Sequence, residues 1–211
     1  MSRFSLKGRT ALVTGGARGC GLAFAEGLAE AGADVAIFDG ELRYSRCGKA
    51  LRTCSRSAVI DPVPAFFEIE KKFGVKTAHY KVDVRSMSSL EEGFEAFRRD
   101  FDGKLDVCVP TAGVNDNVGF LDTTPERFDR LVGVNIKGLY YTAQLAAKAM
   151  IANKTTKGSI VLVASIASYM AIRSQLSSAY CGTKGAVDMT SGRIGQVRYQ
   201  MQLGLARIRK D

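Results

Sequence analysis

One histidine and five cysteines are all the imidazole and thiol groups this sequence has. Cys20, Cys47, Cys54, Cys108 and Cys181 form no CxxC pair, and no cysteine cluster accompanies His79, which argues against a zinc site. An odd cysteine count in 211 residues fits no disulfide framework. His79 lies in the alternating stretch VKTAHYKVDV and reads as a structural strand residue. No apolar run is long enough to span a bilayer. The opening MSRFSLKGRTALVTGG has no apolar signal core before its first glycine turn, so the expectation is a cytoplasmic protein. Acidic residues are also scarce, 21 against 30 basic ones, for a formal net charge of +9. Such an excess points to nucleic acid only when it forms one footprint. Here it is local: Arg43, Arg46, Lys49, Arg52 and Arg56 oppose Glu41 alone, and Arg193, Arg198, Arg207, Arg209 and Lys210 oppose Asp211 alone. The rest of the chain is nearly neutral, and no nucleic-acid partner is expected.

What is present is a rhythm. RTALVTGG (9–16), ADVAIFD (33–39), KTAHYKVDV (76–84), LDVCVPTAG (105–113) and GSIVLVAS (158–165) are short, apolar, strand-like runs. Between them lie CGLAFAEGLAEAG (20–32), PAFFEIEKKFG (64–74), SMSSLEEGFEAFRRDF (86–101, with Ser86 or Ser88 as cap) and a long helical stretch over 124–151, bent near Gly133 or Gly138. Another helix starts around Tyr180. Alternating strands and helices predict an α/β fold with a parallel sheet, and the continuous apolar strands predict that both faces are covered. Two segments break the pattern. Residues 40–60 are basic and poorly periodic, where a short loop belongs. Residues 191–211 are punctuated by glycine and contain no clean sixth strand.

Two constellations carry chemistry. TGGARGCG, Thr14 to Gly21, joins the first strand to the first helix. Glycines at 15, 19 and 21 permit a tight turn and close approach of a pyrophosphate to the helix N-terminus. Asp39 ends the second strand, where a carboxylate accepts from the ribose hydroxyls of NAD and repels the 2′-phosphate of NADP. Arg18, in the turn, favours that phosphate, so NADP stays as the alternative cofactor. The second constellation is Tyr180 and Lys184, one helical turn apart, with Ser165 at a strand end and Asn135 upstream. A phenol titrates near pH 10, too high to exchange protons readily at neutral pH, and a nearby ammonium favours its ionised form.

Together these motifs resemble the short-chain dehydrogenase/reductase family: TGxxxGxG at 14–21, Asp83-Val84 after the third strand, the asparagine of VNIKG, the serine of VASIAS, and YxxxK at 180–184. The wording of ASIASYMAIRSQLSSAYCGTKGAVDM is most similar to polyol dehydrogenases and ketose reductases of that family. The resemblance implies a Rossmann-type, doubly wound parallel sheet over 1–190, with 40–60 as an insertion and 191–211 as a divergent basic tail. It implies that Tyr180 is the acid/base and that Lys184 tunes it and binds the nicotinamide ribose. Ser165 would orient the reacting oxygen, with Ser168 as competitor, and Asn135 would support a proton relay. Thr14, Gly15, Arg18, Gly19, Cys20, Gly21, Asp39, Asp83, Val84, Ala112 and Gly113 would line the nucleotide, together with Asn135, Tyr180 and Lys184. The expected activity is NAD(P)-dependent hydride transfer between a secondary alcohol and its ketone. The alternative is a defective relative that at most binds nucleotide. The chain departs from the family pattern in having PTAG (110–113) where NNAG is usual. It also has no recognisable last strand or substrate loop after residue 190, so the expected sheet is incomplete and the family's homo-oligomeric interface is partly missing.

Overall fold

The structure, a computed structural model, describes residues 4–40, 64–170 and 175–194. The proposed insertion, apart from Gly40, and the tail beyond residue 194 lie outside the described residues. The strands are β1 (Thr10–Thr14), β2 (Asp34–Asp39), β3 (Thr77–Lys81), β4 (Val107–Pro110) and β5 (Ser159–Ile160). They form one sheet, all parallel, in the order β3-β2-β1-β4-β5. The order turns back at β1, so the crevice between the ends of β1 and β4 is the switch point at which such sheets bind ligands.

The helices are α1 (Gly19–Glu30), α2 (Pro64–Phe73), α3 (Met87–Asp100), α4 (Pro125–Val132), α5 (Leu139–Ala152) and α6 (Ser178–Ile194). Alternation along the strands feeds two cores, one on each face. Leu12, Ala36, Phe38 and Cys108 pack with Leu90, Phe94 and Phe97 of α3 and with Ala143, Ala146 and Met150 of α5. Ala11, Val13, Val35, Ile37 and Val109 pack with Ala25 and Ala29 of α1 and with Phe66 and Ile69 of α2. A doubly covered sheet needs apolar residues at every strand position, which is why the strands read as unbroken runs. Ser86, one of two candidate caps, is the one used: its side chain accepts from the Ser89 N–H.

The fifth strand is shorter than the expected 158–165, and Pro110 supplies the physical reason. The Cys108 carbonyl accepts from Val161 N–H at 2.9 Å, so Cys108 faces β5. Alternate residues of a strand face the same neighbour, so Pro110 faces β5 as well. It has no N–H to give, and the ladder stops. The long stretch expected over 124–151 is indeed interrupted where glycines flank it. Gly133–Gly138 forms a π-helical turn between α4 and α5. A methyl on Gly138 would lie 2.7 Å from Val84 Cγ2, so the turn fits closely against the end of the β3 segment.

Candidate functional site

The glycine-rich turn lies at the switch point. Gly15 has φ +67° and Gly19 φ +55°, backbone conformations that favour glycine. A methyl on Gly15 would stand 2.8 Å from Ala112 Cα, and one on Gly21 only 2.1 Å from the Gly15 carbonyl oxygen. The turn is thus folded tightly on itself and on the end of β4. Arg18 precedes α1 with no side-chain cap. The N–H groups of a first helical turn have no intrahelical partners, which makes this end of α1 suited to a phosphate. Arg18, Gly19 and Cys20 are exposed, and Thr14 is buried. The glycines, helix end and exposed surface therefore fit a dinucleotide.

Sequence spacing singled out Gly15, Gly19 and Gly21 but missed Gly16. A methyl there would be 2.4 Å from Ile37 Cγ2. The requirement comes from β2 lying beside β1, which no local motif reveals.

Asp39 is half-buried at the end of β2, and its Oδ2 accepts from the Ala17 N–H at 3.1 Å. The carboxylate therefore holds the glycine-rich turn against the end of β2. Asp83 and buried Val84 follow β3. Arg85 grips Asp83, with Nη2 at 2.7 Å from Oδ2 and Nε at 2.9 Å from Oδ1. That guanidinium holds the Asp83 carboxyl below the usual carboxylate range.

The asparagines usual at the end of the fourth strand are replaced, yet the strand is still tied to its neighbour. The Thr111 hydroxyl donates to the Thr14 carbonyl, and Ala112 N–H donates to Thr14 Oγ1 at 3.1 Å. Two threonine side chains make the connection that PTAG appeared to lack. They also hold Ala112 and Gly113 beside the glycine turn.

Tyr180 and Lys184 share a face of α6, with Lys184 Nζ 5.9 Å from the Tyr180 ring centroid. Lys184 is only 5% exposed, and its ammonium donates to the Val163 carbonyl at 2.9 Å. Burial pushes its pKa below the ordinary lysine value. Asn135, fully buried in the π-helical turn, is bonded to the same turn of α6 through Thr183. A methyl on Gly113 would be 3.5 Å from Asn135 Oδ1 and 3.7 Å from Lys184 Nζ. The Asn135 amide is fully engaged with protein: Oδ1 accepts from Val114 N–H, and Nδ2 donates to the Val114 carbonyl and to Thr183 Oγ1.

Ser165 lies beyond β5 at the start of a 3-10 turn, Ile166–Ser168, and its Oγ accepts from Ala167 N–H at 3.1 Å. Its own hydrogen remains available to a reacting oxygen. Ser168 Oγ is buried without a hydrogen-bond partner among the described residues. Separately, a groove of about 730 Å³ runs between α4 and α6, bordered by Phe120, Phe128, Val132, Ala179 and Gly182. It includes neither Tyr180 nor the glycine turn and adjoins the site only at Thr183.

His79 is half-buried on β3, where burial lowers its pKa. Among the described residues no three His, Cys, Asp or Glu side chains form a metal cluster, and no helix is long and apolar enough to cross a membrane.

The family model described as short chain dehydrogenase matches residues 61–200. A sorbose reductase of Schizosaccharomyces pombe is 32% identical over 187 residues, which cover 88% of this chain and 66% of that protein. An NADP-dependent mannitol dehydrogenase of Hypocrea jecorina is 33% identical over 179 residues, 84% of this chain and 60% of the relative. Among solved structures, a short-chain type dehydrogenase/reductase from Mycobacterium marinum superposes with a TM-score of 0.80 at 26% identity, covering 96% of this chain and 75% of that one. A gluconate 5-dehydrogenase from Burkholderia cenocepacia, in complex with NADP and tartrate, gives a TM-score of 0.75 at 28% identity, covering 95% and 70%. The chain thus spans 60–66% of the length of these two curated relatives.

Proposed function

The chain belongs to the short-chain dehydrogenase family, and from that premise we propose that it transfers a hydride between a nicotinamide dinucleotide and a secondary alcohol or its ketone. The observation that carries this reading is the buried, anchored Lys184 one helical turn from Tyr180 and beside Gly113, at the end of the strand next to the glycine turn. The bound nicotinamide would supply or accept the hydride. Tyr180 is the group that gives its phenolic proton to the oxygen where negative charge develops, and Ser165 donates a second hydrogen bond to that oxygen. Lys184, a cation on the same face of α6 as Tyr180, would bind the nicotinamide ribose. Asn135 holds the loop after β4 in register with this pair. Thr14, Gly15, Arg18, Gly19, Cys20 and Gly21 take the pyrophosphate. Asp39 takes the adenosine ribose, Asp83 and Val84 border the adenine, and Ala112 and Gly113 line the path between.

A polyol and its ketose are the proposed substrate pair, supported by the names of the sorbose reductase and mannitol dehydrogenase relatives. NAD is the proposed cofactor because Asp39 would oppose a 2′-phosphate. NADP is the alternative, supported by exposed Arg18 and by the NADP named for two of the similar proteins. A second reading, nucleotide binding without turnover, is favoured by the exposure of the apolar side chains of Ile166, Met170, Leu176 and Met189.

Tyr180→Phe separates the two readings. The ring stays and the proton is lost, so ketose reduction should fall about 10²–10⁴-fold while nucleotide affinity stays within about two-fold. An active parent chain whose Phe variant keeps its rate would remove Tyr180 from the chemistry. A parent chain that binds NADH and reduces no ketose would favour the second reading.

A further inference from the structure

Thr183 lies between Tyr180 and Lys184 in sequence and is 2% exposed. Its hydroxyl donates to the Tyr180 carbonyl at 2.8 Å and accepts from Asn135 Nδ2 at 3.0 Å. The hydroxyl has one hydrogen, and the bond to its own helix fixes the rotamer, so a lone pair is left aimed at Asn135. Asn135 passes the restraint on. It clamps both the N–H and the carbonyl of Val114, each at 2.9 Å. Gly113, the preceding residue, borders both groups: a methyl on it would lie 3.5 Å from Asn135 Oδ1 and 3.7 Å from Lys184 Nζ. The contacts therefore run from the helix turn that carries the tyrosine and lysine, through Thr183 and Asn135, to the loop after β4, and return to the lysine across Gly113.

We propose that Thr183 is a positioning residue for the Tyr180–Lys184 pair: its hydroxyl locks the π-helical turn and the loop after β4 onto the turn of α6 that bears both groups. The proposal rests on the reading of Tyr180 and Lys184 as the acid/base pair. Replacing the hydroxyl by a methyl of the same shape leaves one Asn135 N–H buried with no acceptor. A buried amide left short of a partner is expelled or reoriented rather than tolerated, because the desolvation cost is no longer offset. Release of Asn135 frees Val114 and Gly113. Water then reaches the ammonium, and the distance from the lysine to the phenol is no longer fixed. Serine, which keeps the oxygen, should preserve the whole chain of contacts.

The experiment compares the parent chain with Thr183→Val and Thr183→Ser. Three readouts are followed: exchange of the Asn135 side-chain amide protons, the midpoint of the Lys184 ¹⁵Nζ titration, and steady-state ketose reduction. In Thr183→Val the Asn135 protons are expected to exchange about ten-fold faster. The Lys184 midpoint should rise toward that of an ordinary lysine as its burial is relieved. kcat should fall about ten-fold or more, with nucleotide KM within about two-fold. Thr183→Ser should restore all three. A folded Thr183→Val protein that keeps the parent's Lys184 midpoint and kcat, and loses only thermal stability, would overturn the proposal and leave Thr183 a packing residue. Thr183→Ala serves for the same readouts if the valine variant does not fold. A parent chain with no turnover, whose Lys184 midpoint still responds to valine and recovers with serine, would sink the oxidoreductase reading and leave the positioning role standing.

Discussion

Ser165 and Ser168 stand three residues apart, and their hydroxyls have different surroundings. Ser165 caps the 3-10 turn as an acceptor and keeps a hydrogen to donate. Ser168 has a buried oxygen with no hydrogen bond among the described residues. Ser165→Ala should lower kcat about 10²-fold by removing a donor to the reacting oxygen, and should cost about 1 kcal/mol of stability through the lost cap. Ser168→Ala should leave kcat within about three-fold, and removing an unpaired buried hydroxyl should be neutral or stabilising. Kinetics and urea melts on the two variants check this, and a reversed pattern would assign the oxygen-binding role to Ser168. Gly16→Ala tests a residue that the motif did not show. Its new methyl would meet Ile37, fixed in the interior of β2, so a loss of about 1–3 kcal/mol in urea unfolding is expected. An unchanged midpoint would mean that β1 and β2 lie farther apart than described. The residues visible in sequence were those whose spacing is local: Tyr180 with Lys184, and the glycines of the turn. The bond from Asn135 to Thr183, which spans 48 residues, and the contact of Gly16 with Ile37 depend on the tertiary fold, and nothing local announces them.

At the scale of elements, strands and helices were legible where apolar periodicity was unbroken. β1, β2 and β4 and helices α1, α3 and α6 lie where their patterns put them. Strand five was over-read because VLVA is apolar with two β-branched valines, while its pairing is limited by a proline on the strand beside it. Restoring the donor at that position tests this directly. Pro110→Asn should extend the ladder toward Val161 and raise stability by about 1 kcal/mol. Amide exchange along 160–163 should slow, and no change in protection would contradict the proline account. β3 carries a pH-dependent contribution. An exposed histidine titrates near 6.5, and burial lowers the His79 value in the folded chain. The unfolded chain therefore takes up the proton first, and stability falls as pH drops below about 6.5 until the folded pKa is reached. His79→Gln should reduce the fall in melting temperature between pH 7.5 and 5.5, and an equal fall in both proteins would show that other groups govern it.

For the whole molecule, the parallel order β3-β2-β1-β4-β5 brings together at one switch point a turn from residues 14–21, an acid from β2, a strand end tied by two threonines, and a helix that begins at residue 178. The two cores on opposite faces hold that geometry. In the proposed function they make nucleotide binding a property of the sheet as a whole rather than of the glycine motif alone. The central claim is therefore a coupling between fold and dinucleotide, and a thermal melt of the 211-residue chain with NADH, with NADPH and with neither tests it most directly. A ligand that binds only the folded state raises stability by mass action, about 2.7 kcal/mol at a hundred times its dissociation constant. The account predicts one cooperative transition moved upward by both nucleotides, and further by NADH than by NADPH. A transition that neither nucleotide moves would contradict it.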